Sequence, residues 1–189
     1  MTSRRELAAA ALLGGVGAAI VAGFAGRTWA AVAEHAGTGL GTLNQQLTGR
    51  SLSGVIGALG WAGLAGIAAL LATRGWARVA IGALLTVFGV IVAIASPAAV
   101  RRAHVVSVAG DKSNLARLGG DLVVHVNAWW IPSLAGGVLL AAAGLLTVVR
   151  GRHWPGMSAR YDRPGAAPPP AGDDPASMWK ALDRGDDPT

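Results

Sequence analysis

Four long runs of apolar residues, separated by shorter polar stretches, dominate the pattern along this chain. They cover residues 7–26, 52–72, 79–95 and 129–149, and none of them contains a charged residue. A helix needs about 20 predominantly apolar residues to cross the hydrocarbon core of a bilayer. In lipid, the backbone of such a run can satisfy its own hydrogen bonds only as a helix. The pattern therefore predicts an all-α integral membrane protein, with a bundle of four transmembrane helices in residues 1–154.

Composition and charge agree with this prediction. Apolar residues make up 52% of the 189 residues and charged residues 14%, which is far from the usual balance of a soluble protein. The net charge of +6 would suggest nucleic acid as the partner of a soluble domain. Here most arginines lie beside the apolar runs, where they anchor helices at lipid headgroups. We therefore expect this domain to lie in the lipid bilayer and to bind no nucleic acid.

The basic residues also predict an orientation. Four spans place both termini on one side of the cell membrane, with more basic residues there than on the other side. Near the membrane, the basic residues on the side of the termini are Arg4, Arg5, Arg74, Arg78, Arg150, Arg152, Arg160 and Arg163, against Arg27, Arg50, Arg101, Arg102, Lys112 and Arg117 on the other. Because cytoplasmic loops carry the excess of basic residues, this bias predicts cytoplasmic termini. The alternative is that the arginine pair and first apolar run form a cleavable export signal.

Small residues recur at every fourth position in the first two spans. The first stripe is Gly14, Ala18, Ala22 and Gly26, and the second is Gly54, Ala58, Ala62 and Gly66. Such stripes let helix backbones approach closely in a membrane. The second stripe is therefore a candidate site of helix packing, in the fold or in a homo-oligomer. The alternative is that a composition rich in Ala and Gly produces these spacings by chance.

Residues that could carry chemistry lie only in the loops. The apolar runs lack the ionisable residues that mark proton and ion pathways in membranes. Loops 27–51 and 97–128 contain Glu34, His35, His104, Asp111, Asp121 and His125. Their spacing matches no metal or nucleophile motif, and the absence of cysteine excludes a thiolate metal site. We interpret them as solvated loop residues, and predict no enzyme activity and no catalytic, cofactor or metal site.

Residues 155–189 form a distinct C-terminal tail. The tail contains seven of the nine prolines and few apolar residues, which predicts a disordered linker on the cytoplasmic side. Near its end, Asp174, Pro175 and Gly185 are typical of the start and stop of a short helix over 175–184. Its candidate docking residues are Met178, Trp179 and Leu182 on one face, with Asp183 and Arg184 to orient it. Ten residues are too few for a stable isolated helix, so we expect it to form when it binds a protein partner.

Four stretches together resemble a known family. They are GRSLS at 49–53, ATRGWAR at 72–78, RGRHWPGMSARYD at 150–162 and WKALDRGDDPT at 179–189. With four spans, they resemble the tryptophan-biosynthesis-associated membrane protein family, whose members are encoded with tryptophan operons. The resemblance implies an association with tryptophan biosynthesis and assigns no role to any residue.

Two functions from different classes follow from these observations. The first is a non-catalytic membrane protein that recruits or regulates a partner through its C-terminal motif. The alternative is a transporter, or a transporter subunit, for tryptophan or a related small molecule. Such a transporter would need an oligomer that builds a polar lumen from the hydroxyl side chains Ser53, Thr73, Thr86, Ser96 and Thr147.

Overall fold

The computed structural model describes residues 2–34, 43–112 and 122–154, all of which lie in one compact unit, Met1–Gly156. The elements in chain order are α1 (Thr2–Phe24), β1 (Thr28–Glu34), β2 (Leu43–Thr48), α2 (Gly49–Leu52), α3 (Gly54–Ala72), α4 (Trp76–Ala99), α5 (Arg102–Lys112), β3 (Leu122–Val126) and α6 (Trp130–Arg150), followed by a single 3-10 turn, Gly151–His153. The predicted tail at 155–189 lies outside the described residues.

Four of these helices, α1, α3, α4 and α6, are long and apolar enough to cross a membrane. They confirm the four spans that the hydropathy pattern predicts, and the fold is mostly helical. The helices alternate in direction, so α1 and α4 begin where α3 and α6 end. We name this the terminal end of the bundle. The opposite end carries β1, β2, β3, α2 and α5, and we name it the cap end.

Helix α4 is longer than the apolar pattern predicts. The predicted span covers residues 79–95, whereas the helix runs from Trp76 to Ala99. A tight turn starts it, because Gly75 has φ 63°, a backbone conformation that glycine adopts without strain. The helix therefore includes Arg78, which is fully buried. The interpretation of Arg78 as a headgroup anchor is wrong for this residue, since its charge is held inside the protein.

The cap end contains a small antiparallel sheet in the order β2-β1-β3. Val32 at its centre pairs with Gln45 on β2 and with Val124 on β3. The loops at 27–51 and 97–128 therefore contain regular structure where the sequence predicts solvated loops. Each strand has only five to seven residues, and β3 joins the sheet from a distant part of the chain, so the local pattern carries little signal for the pairing.

The hydrophobic core of the cap end continues into the bundle. Trp29 is fully buried, and its indole nitrogen donates to the carbonyl oxygen of Phe24 at 3.0 Å. Gly49 packs so closely on this ring that a Cβ atom there would lie 2.6 Å from the ring atom Cε2. Val32 and Leu47 of the sheet belong to the same buried cluster. This packing joins the sheet to the ends of the membrane helices.

Three of the four small residues of the first predicted stripe are buried in the bundle, and all three lie on α1. Gly14, Ala18 and Ala22 are buried. On α3, however, the close approach to α1 is made by Gly60 and Gly63, because a Cβ on Gly60 would lie 2.7 Å from the backbone nitrogen of Ala22. Gly26, the last member of the α1 stripe, is exposed.

The predicted packing stripe of α3 lies mostly on the wrong face of the helix for packing within the bundle. Gly54 and Ala58 are exposed, and a Cβ added to Gly54 would meet no atom within 4 Å. Ala62 and Gly66 are half-buried, with Gly66 against the side chain of Leu85. A four-residue spacing recurs on more than one face of a helix this rich in Gly and Ala, so spacing alone did not select the buried face.

Glycines seven residues apart form a close contact between α4 and α6. Gly82 and Gly89 on α4 face Gly144 and Gly137 on α6. A Cβ on Gly144 would lie 2.7 Å from the carbonyl oxygen of Gly82, and a Cβ on Gly137 would lie 3.0 Å from that of Gly89. The two backbones are therefore in direct contact. This contact strengthens the dispersion attraction between the helices, which matters in a membrane because lipid removes the hydrophobic driving force for helix association.

Candidate functional site

The buried Arg78 organises the terminal end of the bundle. Its Nη2 donates to the carbonyl oxygen of Thr73 at 2.5 Å, and its Nη1 donates to that of Trp154 at 3.1 Å. Thr73 is the C-cap of α3 and Trp154 is the C-cap of the 3-10 turn after α6, so one guanidinium satisfies a carbonyl group at each of these two ends. A cation is favourable at such ends because the helix dipole is negative there. These bonds offset part of the cost of burying the charge.

Glu6 connects the start of α1 to the same place. Its Oε1 accepts from Nη1 of Arg150 at 2.9 Å, and its Oε2 accepts from the indole Nε1 of Trp154 at 3.1 Å. The ion pair is partly exposed, with 57% of the Arg150 side chain and 34% of the Glu6 side chain accessible, so it contributes little to stability by itself. Its effect is to fix the position of Trp154, which is 4% exposed.

We name Glu6, Thr73, Arg78, Arg150 and Trp154 the terminal clamp. The clamp holds both the indole and the carbonyl group of Trp154, the last described residue. Trp154, which directly precedes Pro155 in the sequence, is therefore fixed to α4 through Arg78 and to α1 through Glu6. The sequence stretches ATRGWAR and RGRHW thus belong to one hydrogen-bonded group, which their separation along the chain conceals.

The hydroxyl groups proposed for a lumen are largely engaged inside the helices. Four of them donate to the carbonyl oxygen four residues earlier, at 2.8–2.9 Å: Thr73 to Ala69, Thr86 to Gly82, Ser96 to Val92 and Thr147 to Ala143. Ser96 and Thr147 are fully buried. Thr147 also packs on the α4 backbone, because its Cγ2 would lie 2.8 Å from a Cβ placed on Gly82.

Among the residues that the structure describes, the ionisable loop side chains do not assemble a metal site. His104 Nε2 lies 2.8 Å from the carbonyl oxygen of Leu52, and the His125 side chain is exposed on β3. Within the described ranges, no three His, Asp or Glu side chains come together as a metal site would require. His35 and Asp121 lie outside the described residues.

The candidate docking residues of the tail also lie outside the described residues. This applies to all five of them: Met178, Trp179, Leu182, Asp183 and Arg184. Their predicted role therefore remains a prediction.

Sequence reasoning missed Glu6 and Trp154, for which the only available signal was an acidic residue at one predicted span end and a Trp at another.

Comparison with known proteins identifies a family. A family model described as "tryptophan-associated transmembrane protein" matches residues 11–189. The match includes α3, α4 and α6 in full, most of α1 and the whole tail, whereas Glu6 precedes it. No curated protein and no solved structure matches the chain.

Proposed function

The chain belongs to the tryptophan-associated transmembrane protein family, and we propose that it is a non-catalytic protein of the cell membrane that binds a cytoplasmic protein through its C-terminal tail. Both termini are cytoplasmic in this proposal. The partner is recruited to the membrane, or regulated there, through the motif at 175–184. The family description supplies the association with tryptophan and leaves the molecular role open.

The terminal clamp is the observation that carries this proposal. Arg78 and Glu6 hold Trp154 at the end of the bundle, so residue 155 starts from a fixed point. From there, the sequence predicts about 20 linker residues before the motif, which as a flexible chain span roughly 25 Å on average. A motif tethered in this way presents a high local concentration to a protein at the membrane surface.

The packing of the membrane domain supports the same proposal over the transporter. A lumen needs polar side chains that face water, whereas Thr86, Ser96 and Thr147 donate to their own helix backbones. Ser96 and Thr147 are also fully buried in the single chain. The α4–α6 contact uses glycine to bring backbones together, which is typical of structural packing.

Capture of a partner from a cytoplasmic extract tests the proposal. The intact protein in detergent should retain a specific soluble protein, and a chain that ends at Ala171 should not. Trp179→Ala should weaken the capture by about thirtyfold or more, because truncation of a buried aromatic anchor commonly costs about 2 kcal/mol. Lys180→Ala is the matched control, since a charge at the rim of an interface contributes little.

The result that would refute the proposal is an identical set of captured proteins for the intact chain, the Ala171 truncation and Trp179→Ala. The membrane domain must remain folded in each variant for the comparison to hold. The change at Trp179 leaves all residues of the terminal clamp in place, so a melting temperature equal to that of the intact protein provides this check.

A further inference from the structure

Trp154 fills an enclosed site at the terminal end of the bundle, and its contacts define what this site can hold. Only 4% of Trp154 is exposed. The indole Nε1 donates to Oε2 of Glu6 at 3.1 Å. The backbone carbonyl oxygen of Trp154 accepts from Nη1 of Arg78 at 3.1 Å, and its backbone nitrogen donates to the carbonyl oxygen of Gly151 at 3.4 Å. Each polar group of the residue therefore has a partner.

The three groups of Trp154 that make these contacts correspond to the three polar groups of free tryptophan. The free amino acid has a carboxylate in place of the peptide carbonyl group and an ammonium group in place of the amide N–H. A carboxylate can accept from Arg78, an ammonium group can donate to Gly151, and the indole N–H is the same in both. The donors and acceptors of the site therefore match an amino acid with an indole side chain.

The charge of Arg78 suits a free carboxylate better than the peptide carbonyl that it now contacts. The guanidinium is fully buried, and its two hydrogen bonds are to the neutral carbonyl oxygens of Thr73 and Trp154. Its Nε is buried and makes no hydrogen bond. Glu6, the acidic residue of the clamp, pairs with Arg150 instead. A carboxylate forms the strongest hydrogen bonds with a guanidinium and compensates its buried charge, which a neutral oxygen does not.

We propose that free tryptophan binds in this site and that Trp154 is its tethered substitute. In the bound state, Arg78 donates to the carboxylate of the ligand, the carbonyl oxygen of Gly151 accepts from its ammonium group, and Glu6 accepts from its indole. The proposal concerns the membrane domain alone, so it does not depend on a protein partner for the motif at 175–184.

Exchange of Trp154 for the free amino acid requires only a local change. A single 3-10 turn, Gly151–His153, joins Trp154 to α6, so rotation of the backbone within this turn moves Trp154 out while α6 stays intact. The tethered indole is present at a high local concentration, which weakens the binding of a free competitor. A chain without Trp154 therefore binds free tryptophan more tightly than the intact chain does.

Equilibrium dialysis of radiolabelled L-tryptophan against the purified protein in detergent tests the site. Trp154→Ala empties it, and this variant should bind one tryptophan per chain. The intact chain should bind at least tenfold more weakly, because Trp154 competes. Trp76→Ala is the matched control, since Trp76 is 73% exposed, and should bind like the intact chain. The absence of saturable binding to a Trp154→Ala chain that keeps its helical circular dichroism overturns the proposal.

Fluorine NMR detects the exchange in the intact chain, so this test does not require Trp154→Ala to fold. In protein labelled with 5-fluorotryptophan, the resonance that Trp154→Phe removes belongs to Trp154, one of seven tryptophans. Unlabelled L-tryptophan should move this resonance, in a saturable manner, to the position of an exposed tryptophan. A Trp154 resonance that stays in place at millimolar tryptophan, the range of the local concentration of a tethered group, overturns the proposal.

Two analogues test how the ligand is recognised. Tryptamine lacks the carboxylate, so it should bind Trp154→Ala about tenfold less well than tryptophan. The benzothienyl analogue of tryptophan keeps the ring shape and lacks the N–H, so it should bind about fivefold less well. Addition of Arg78→Gln should remove the first difference and keep the second. Equal binding of all three ligands to Trp154→Ala would reveal a cavity that accepts any aromatic ring, and would overturn the proposal.

Discussion

Replacement of Gly89 by alanine tests whether backbone contact between α4 and α6 holds the bundle together. The added Cβ would lie 2.8 Å from Cα of Ala141, still closer to its backbone nitrogen, and 2.5 Å from the carbonyl oxygen of Gly137. All three are backbone atoms of α6, which cannot rotate away as a side chain can. Ordinary contact begins at about 3.4 Å, so the helices must separate by about 1 Å.

The size of the effect follows from this separation. A gap of about 0.5–1 Å forfeits a quarter to a half of each dispersion contact along the interface. Forcing an extra carbon into a packed core typically costs about 1–3 kcal/mol. Alanine also stabilises a helix by about 1 kcal/mol relative to glycine. Gly15 provides the control, because it lies mid-helix in α1 and a Cβ there would meet no atom within 4 Å.

Unfolding in detergent, followed by circular dichroism, measures the difference. We expect Gly15→Ala to be neutral or slightly stabilising and Gly89→Ala to be destabilising, with about 2 kcal/mol between the two variants. Because both substitutions gain the same helix propensity, that term cancels in the comparison. Equal stability of the two variants would refute the reasoning. Gly144→Ala should behave like Gly89→Ala, since its Cβ would lie 2.7 Å from the carbonyl oxygen of Gly82.

Two further predictions concern the terminal clamp and the orientation. Arg78→Gln should lower the melting temperature more than Arg152→Gln. The first change removes the guanidinium that donates to the carbonyl oxygens of Thr73 and Trp154, whereas Arg152 is exposed. An equal decrease for both variants would show that the clamp does not stabilise the fold. A reporter fused after the last residue should be active in the cytoplasm, and one inserted at 35–42 should be active outside; the reverse result would contradict the predicted topology.

The candidate site was only partly predictable from the sequence. The arginines near the span ends were interpreted as membrane anchors, and Arg152 is exposed as this interpretation requires. Arg78 is instead buried within α4, and Trp154, which the sequence reasoning missed, is buried in the clamp. Whether a basic residue at a helix end faces lipid headgroups or a neighbouring helix depends on what packs against it, which its own sequence surroundings do not record.

The sequence by itself determined the membrane class, the number of spans and the packing face of α1. Each of these depends on local properties: a run of about 20 apolar residues must form a helix in lipid, and small residues on one face allow close packing. Only the tertiary structure decided which face of α3 is buried, that β3 pairs with β1, and that Gly89 meets α6. These three features depend on contacts between distant segments. In helices rich in Gly and Ala, several faces carry small residues at a spacing of four, so the local sequence does not distinguish between them. Long-range packing selects among them, through backbone contacts such as those of Gly60 with Ala22 and of Gly89 with Ala141.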